Sequence, residues 1–167
     1  YYIARYETTG TSTKITSRYN QSILTNVTQP RIAALAREMY GDTAEYASDL
    51  ANSYAWDTAI IFIQTYSGNP NYASQNKCVS FTKAGISNDK YCNIWDMSGN
   101  AMEWTTEYAD FAFPTSGLYA PCVMRGGYSN FDNPVSETSN RSEGRSTYST
   151  SRYTSRSIIY VKSVSYT

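Results

Sequence analysis

The sequence contains no histidine, few cysteines and few charged residues. Without histidine the chain lacks the usual general base of enzymes, and a zinc site is not expected. The three cysteines, Cys78, Cys92 and Cys122, include no pair with C-x-x-C spacing. They are too few for a disulfide-framed miniprotein, and two states stay open, one bridge with a free thiol or a fully reduced set.

The chain also has no excess of charge of either sign, because 14 Lys and Arg residues balance 14 Asp and Glu residues. This balance provides no long-range field to attract DNA, RNA or an anionic membrane, so no nucleic-acid partner is expected. No apolar run approaches the roughly 18 residues of a transmembrane helix. Direct insertion into a membrane is therefore not expected.

Tyrosine is the abundant residue, with 17 copies accompanied by many Ser, Thr and Asn residues. Tyr offers a large rigid contact area with a polar tip, and Ser and Asn adapt their hydrogen bonds, which is the mixture that binding loops use. A polar β-rich protein with Tyr on half-buried strands would have the same composition. Composition alone leaves both interpretations open.

The length of 167 residues fits a single domain, residues 1–167. Apolar positions with a period of 3.6 residues predict a first helix that begins at Thr28 or Gln29 and ends at Gly41. The same period predicts a second helix from about Ser53 to Tyr66. Strands are predicted by β-branched and aromatic residues in Tyr1–Glu7, Val79–Thr82, Glu103–Tyr108, Cys122–Arg125 and Ser157–Lys162.

Two helices surrounded by strands favour an α+β domain in which the first and last strands pair. The segment Tyr128–Ser155 differs from the rest, since Ser, Thr, Tyr, Asn and Arg dominate it without any apolar period. Strands flank it on both sides, so it is predicted to form long loops held by a scaffold.

Three sequence motifs resemble those of the formylglycine-generating (sulfatase-modifying) family. They are IARYETT near the start, NIWDMSGNAMEW at Asn93–Trp104, and VMRGG at Val123–Gly127. The resemblance covers nearly the whole chain and implies a C-type-lectin-like α+β fold with two helices, a small antiparallel sheet and long loops.

The chain departs from this family at the residues that perform its chemistry. The family's enzymes place two reactive cysteines shortly after the RGG strand, where they bind copper and attack the substrate, whereas Tyr128–Ser155 contains no cysteine. Ser and Tyr cannot replace a thiolate as soft ligand and nucleophile. A catalytic site and bound copper are therefore not expected. The family's Gly-Phe-Arg before the last strand is here Thr154-Ser155-Arg156.

The resemblance is greatest to the non-enzymatic variable proteins of diversity-generating retroelements, which occur on phage tails and bacterial surfaces. Their C-terminal segment is diversified by randomising adenines in Asn codons, which cannot produce Lys, Glu, Gln, Met or Trp. Within Tyr128–Ser155, only Glu137 and Glu143 are residues that a randomised Asn codon cannot produce. The preceding stretch, Asn100–Gly127, contains five such residues: Met102, Glu103, Trp104, Glu107 and Met124.

This resemblance implies a ligand-binding domain that acts in receptor binding or adhesion at a virion tail or a bacterial cell surface. The expected partner is a host-surface or environmental protein or glycan, and a homo-oligomer is compatible with that role. Two alternatives stay open: a formylglycine-generating-type oxidase or other enzyme of the same fold, and an inert structural surface domain.

By position in the family motif, Asp96 and Glu103 would supply side-chain oxygens to Ca²⁺, and Gly99 and Ala101 would supply carbonyls. The alternative is a tight turn at Gly99-Asn100, with the Glu103 carboxylate satisfied by backbone donors. Ca²⁺ is the only cofactor that the resemblance implies for this chain.

Twelve residues of the polar segment are candidates for ligand contact, with aromatic anchors and polar partners among them. They are Tyr128, Ser129, Asn130, Phe131, Asp132, Asn133, Asn140, Arg145, Thr147, Tyr148, Arg152 and Tyr153. The alternative is that the tyrosines only pack the loops onto the scaffold.

Large residues outside this segment are predicted to be structural. Trp56 and Trp104 are assigned to the core, and so is Trp95, for which the binding face is the alternative. Arg125 and Arg156 are predicted to tie loop carbonyls together, because a planar group with five donors suits that task.

Overall fold

The computed structural model of the chain describes residues 1–75, 83–109, 121–127 and 137–162. The strand predicted at Val79–Thr82 and the ligand candidates at positions 128–133 lie outside these residues. The two helices are α1 (Gln29–Tyr40) and α2 (Ser53–Tyr66). The strands are β1 (Tyr2–Ile3), β2 (Thr9–Gly10), β3 (Ile15–Thr16), β4 (Tyr46–Leu50), β5 (Lys90–Tyr91), β6 (Ile94–Trp95), β7 (Met102–Tyr108), β8 (Cys122–Arg125), β9 (Arg141–Gly144), β10 (Tyr153–Ser155) and β11 (Ser157–Val161).

Both predicted helices are confirmed, within a residue of the predicted ends. Helix α1 has Pro at its start and ends at Gly41, whose φ of 72° is in the left-handed region that glycine adopts without strain. Thr28 precedes α1 without a side-chain capping bond. Helix α2 is capped by Asn52, whose side-chain oxygen accepts the backbone N–H of Ala55 at 2.8 Å.

The first and last strands of the chain pair as predicted. In the three-stranded sheet β1-β11-β4, β11 lies in the centre and is antiparallel to both neighbours, with Ile3 opposite Ile158. Strand β1 is shorter than predicted, because the chain leaves the sheet after Ala4, whose N–H bonds to the carbonyl of Ser157 at 2.9 Å. The carbonyl of Arg5 instead accepts the backbone N–H of Trp95 at 3.0 Å, and the N–H of Thr8 bonds to the carbonyl of Ser155 at 2.8 Å.

A second sheet has the order β10-β7-β8-β9, in which β7, β8 and β9 are antiparallel while β10 runs parallel to β7. The expected antiparallel sheet therefore has one parallel edge strand. The register places Thr154 opposite Glu103 and Ser155 opposite Trp104. This pairing brings the end of the polar segment against Gly99–Trp104 (GNAMEW), the second half of the NIWDMSGNAMEW motif.

The core has one apolar cluster under each helix and a small third cluster of Ala51, Ala55 and Ile158. Helix α1 buries Ile32 and Leu35 against Leu50, Trp104 and Met124. The second cluster lies under α2 and consists of Trp56, Ala59, Ile60, Ile63, Tyr72, Ile94 and Met97.

The core assignments of Trp56 and Trp104 are confirmed, since each side chain is 1% exposed. Trp95 is also buried, at 9%. None of the helices in the described residues has the length and apolar character needed to cross a membrane.

Candidate functional site

The centre of the domain is a buried ion pair between Arg156 and Glu103, whose side chains are 0% and 1% exposed. Arg156 Nη2 lies 2.8 Å from Glu103 Oε1, and Nε lies 3.1 Å from Oε2. The guanidinium also donates to the carbonyls of Ala4 at 2.9 Å and Trp95 at 2.7 Å. The predicted structural role of Arg156 is confirmed, because one side chain joins the first strand, β6, β7 and the end of the polar segment.

Glu7 lies beside this ion pair and is fully buried. It accepts a hydrogen bond from the side-chain amide of Asn100. Burial raises the pKa of Glu7 well above its ordinary value, and the charges of Glu103 and Asp96 raise it further. The charge of Arg156 and the hydrogen bond from Asn100 act in the opposite direction and lower the pKa of Glu7.

Asp96 lies at the start of the predicted calcium loop with a φ of 61° and a side chain that is 1% exposed. Its carboxylate accepts the backbone N–H of Gly85 at 2.5 Å and the hydroxyl of Ser87. Asn100, with a φ of 60°, completes the tight turn after Gly99.

The four predicted calcium ligands therefore lie in one buried region, where Glu103 is held by Arg156. Gly99 and Ala101 are buried there with Asp96. Within the part of the chain that the structure describes, no group of three or more His, Cys, Asp or Glu side chains is arranged to hold a metal ion. A calcium site would thus depend on backbone carbonyls, as the motif implies.

The polar segment is attached to the core at several points between residues 137 and 153. Near its start, the Trp56 indole N–H donates to the carbonyl of Thr138 at 3.0 Å, and the N–H of Thr138 bonds to Gln75 at 3.0 Å. Further along, the N–H of Asn26 bonds to the carbonyl of Thr150 at 3.0 Å, and the N–H of Met102 bonds to Arg152 at 3.0 Å. Strand β9 pairs with β8 between these points. The backbone is therefore held by the scaffold on both sides of residues 145–149, which form a turn with a hydrogen bond from the Tyr148 N–H to the carbonyl of Arg145 at 3.0 Å.

Eight side chains of residues 137–153 are exposed to solvent, and most of the others are half-buried. The exposed residues are Ser139, Arg141, Glu143, Thr147, Tyr148, Ser149, Ser151 and Arg152. Exposure ends abruptly at β10, where Thr154 and Ser155 are buried. The Thr8 and Ser155 hydroxyls are hydrogen-bonded there at 2.8 Å.

Six of the predicted ligand residues lie in the described part, and they differ in environment. Tyr148 is 37% exposed, and the guanidinium of half-buried Arg145 lies 5.2 Å from its ring centroid. Thr147 and Arg152 are exposed, and half-buried Asn140 donates to the Ser142 hydroxyl at 2.8 Å.

Tyr153 is the exception among these six residues, because it is half-buried and its ring packs edge-on against Trp104 with centroids 5.0 Å apart. The structure therefore gives Tyr153 a packing role. Its contact with a ligand stays a prediction.

A charged network beside β9 was not foreseen from the sequence. Arg125 is 1% exposed and pairs with Asp57 on α2, while Arg141 on β9 reaches the other oxygen of Asp57 at 3.0 Å. Arg125 also donates to the carbonyl of Ser139 at 3.2 Å, which confirms its predicted role in holding a loop carbonyl. In the sequence, only the position of Asp57, one turn into the predicted second helix, pointed to this charged network.

Comparisons with known proteins agree with this architecture. No family model and no curated protein matches the chain. The solved structure of Treponema denticola variable protein 1 is similar, with a TM-score of 0.57 at 11% identity, over 80% of this chain and 69% of that chain. CarF is similar with a TM-score of 0.47 at 14% identity, over 70% of this chain and 48% of that chain. At 11% identity the likeness to Treponema denticola variable protein 1 concerns the fold alone, which is α+β and C-type-lectin-like.

Proposed function

We propose that this chain is a non-enzymatic ligand-binding domain whose segment 128–155 presents a diversified surface on a fixed scaffold. The observation that carries the proposal is that exposed side chains between residues 139 and 153 lie on a backbone that the scaffold holds on both sides of the turn at 145–149. A surface of this kind can change its side chains without changing its fold. It also avoids an ordering cost each time it meets a ligand.

The similar fold of Treponema denticola variable protein 1 supports this proposal, as does the codon-compatible composition of the segment. Arg145 and Tyr148 supply an aromatic anchor with a cation stacked on it, and such residues dominate the binding energy of many interfaces. The partner we infer is a host-surface or environmental protein or glycan, met at a virion tail or a bacterial surface. Display in many copies, including a homo-oligomer, would add avidity.

The absence of enzymatic chemistry is part of the proposal. Cysteine is missing from residues 128–155, where the formylglycine-generating enzymes place their reactive pair. Cys122 lies before the RGG motif and is 5% exposed. Burial raises the pKa of the Cys122 thiol, so the thiolate needed for nucleophilic attack or metal binding is disfavoured.

Natural sequence variation tests the diversification directly. Independent natural copies of the gene should differ at exposed positions of 128–155, such as Thr147 and Tyr148, through changes at adenine positions. A near-copy of this region beside a reverse-transcriptase gene should supply the template.

Buried positions provide the internal control for that survey. Thr138, Gly144 and Arg156 are buried and should not vary. Substitutions spread evenly over exposed and buried positions, or over the whole chain, would contradict the diversified surface while leaving the fold unaffected.

We also propose that any bound cation is Ca²⁺, held by Asp96, Glu103 and the carbonyls of Gly99 and Ala101. The donors are all oxygen, as Ca²⁺ requires. Glu7 Oε1 is buried without a hydrogen-bond partner in the described structure, which supports an additional positive group in this region. When bound, the ion would neutralise carboxylate charge and hold the turn.

Chelation tests the calcium proposal. Removing an ion that binds only the folded state should lower the melting temperature, with about 2.7 kcal/mol lost when free Ca²⁺ had been at 100 times its dissociation constant. Added Ca²⁺ should restore the melting temperature, whereas the Asp96→Asn variant should not respond to chelator. A wild-type melting curve that does not change in excess chelator would remove Ca²⁺ from the account.

A further inference from the structure

Three aromatic rings and two cations lie together on the surface near β5 and β6. The Tyr6 ring centroid lies 5.1 Å from that of Trp95 and 6.0 Å from that of Tyr19. Arg5 Cζ and Lys90 Nζ lie 5.6 Å and 4.8 Å from the Trp95 ring centroid. We call these five residues, Arg5, Tyr6, Tyr19, Lys90 and Trp95, the Trp95 patch.

Backbone pairing explains why the cations meet at Trp95. Lys90 is the register partner of Trp95 in the β5-β6 pair, and the Trp95 N–H donates to the carbonyl of Arg5 on the other side. Trp95 is only 9% exposed, whereas Arg5 and Lys90 are both exposed. Arg5 and Lys90 therefore offer two exposed charges next to the buried Trp95 indole.

Neither cation is neutralised by an acidic side chain among residues 1–75, 83–109, 121–127 and 137–162. Their acidic neighbours in sequence, Glu7, Asp89 and Asp96, are 0%, 0% and 1% exposed. The carboxylate of Asp89 accepts the N–H of Ser98 at 2.7 Å, and that of Asp96 is held by Gly85 and Ser87. Because these carboxylates are engaged in the interior, the two exposed cations are available to an external anion.

The exposed ring of the patch is held in place by close packing at Gly85. A Cβ at this position would lie 2.7 Å from the Tyr6 ring and 2.9 Å from the Tyr19 ring, and its φ is 80°. The Tyr19 turn is fixed by two backbone hydrogen bonds with Ala84, from Asn20 N–H at 2.8 Å and to Gln21 at 2.9 Å. Tyr19 is 58% exposed, so a flat face is available without rearrangement.

We propose that the Trp95 patch is a binding site for an acidic saccharide, with its carboxylate or sulfate group at Arg5 and Lys90 and a sugar ring on Tyr19. Arg and Lys donate charge-assisted hydrogen bonds to such oxyanions, and an aromatic face accepts the apolar face of a sugar. A single-stranded nucleic acid fits less well, because it needs several stacking rings and a charged groove. The patch shares no residue with segment 128–155, so it is independent of the diversified surface.

Binding of a heparin-derived hexasaccharide, measured by calorimetry at low salt, tests this site. The double variant Arg5→Gln/Lys90→Gln should bind at least about tenfold more weakly than the wild type. The control Lys14→Gln/Arg31→Gln removes the same charge from two other exposed residues and should bind within about twofold of the wild type. Melting temperatures of both variants confirm that the fold is retained.

Two further probes separate the parts of the site. Tyr19→Ala should weaken the hexasaccharide but leave the weak binding of inorganic sulfate unchanged, since only the saccharide uses the ring. Tyr148→Ala should leave hexasaccharide affinity unchanged. No hexasaccharide binding by the wild type, equal losses in the two double variants, or tighter binding of oligodeoxythymidine than of the hexasaccharide would overturn the proposal.

Discussion

Replacing Arg156 by methionine should lower the free energy of unfolding by about 3–5 kcal/mol, the usual cost of removing one partner from a buried ion pair. In buffer with a calcium chelator, the change would leave the buried Glu103 carboxylate without its counter-charge, and the carbonyls of Ala4 and Trp95 without their donor. Urea denaturation followed by circular dichroism measures this loss.

A matched exposed pair serves as the control. Arg37 lies 3.1 Å from Asp49, with side-chain exposures of 58% and 22%. Since exposed ion pairs contribute about 0–1 kcal/mol, Arg37→Met should change stability little. Adding Glu103→Gln to Arg156→Met should recover part of the loss, because it removes the unpaired charge. Equal small losses for both single variants would show that the Arg156 ion pair does not hold the fold together.

The pH dependence of the Arg156→Met variant provides a further check on the same prediction. Burial raises the pKa of Glu103, and Arg156 opposes that increase. Without Arg156 the pKa of Glu103 should rise further. A carboxyl whose pKa is higher in the folded state makes stability fall as the pH rises above its unfolded pKa. The loss in the variant should therefore be smaller near pH 4 than near pH 8.

The sequence predicted the elements whose apolar pattern is strong. Helices α1 and α2 and strand β8 form at the predicted positions, and β7 and β11 differ by about one residue at an end. The pairing of β1 with β11 was also predictable, because both ends are rich in aromatic and β-branched residues. Trp56 and Trp104 were recognisable as core because each belongs to an apolar pattern of its own element.

Strands without such a pattern were missed. Strands β4 (YASDL) and β9 (RSEG) do not favour a strand by their own composition, and β10 (YTS) has two strand-favouring residues but is only three residues long within a polar segment. They form because β11, β8 and β7 offer backbone partners. Tertiary pairing of this kind leaves no local signal in the sequence.

The sequence predicted where the residues of the site lie in the chain, but only some of the contacts that their side chains make. The sequence placed Asp96 and Glu103 in one loop, but it did not show that Glu103 would meet Arg156 from a distant strand. It also placed Tyr153 with the ligand residues, whereas the structure packs its ring against Trp104. Contacts between residues so far apart in the chain depend on the register of β10 and β7.

The measurement that tests the binding surface most directly is selection of binders from two libraries displayed on yeast, with lysozyme as the target. The first library randomises five predicted ligand residues of the described segment: Asn140, Arg145, Thr147, Tyr148 and Arg152. The second randomises five exposed positions of α2: Tyr54, Thr58, Ile61, Thr65 and Tyr66. Both keep the buried scaffold, so expression of folded protein should be similar.

We expect the first library to yield lysozyme binders at least about tenfold tighter than any from the second, with each aromatic anchor contributing about 1–3 kcal/mol. The reason is that residues 140–152 surround Tyr148 on a loop that the scaffold holds at both ends, whereas the α2 positions lie on one convex helix face. Equal yields and affinities from the two libraries, or loss of folded protein in the first, would contradict a ligand-binding surface in this segment.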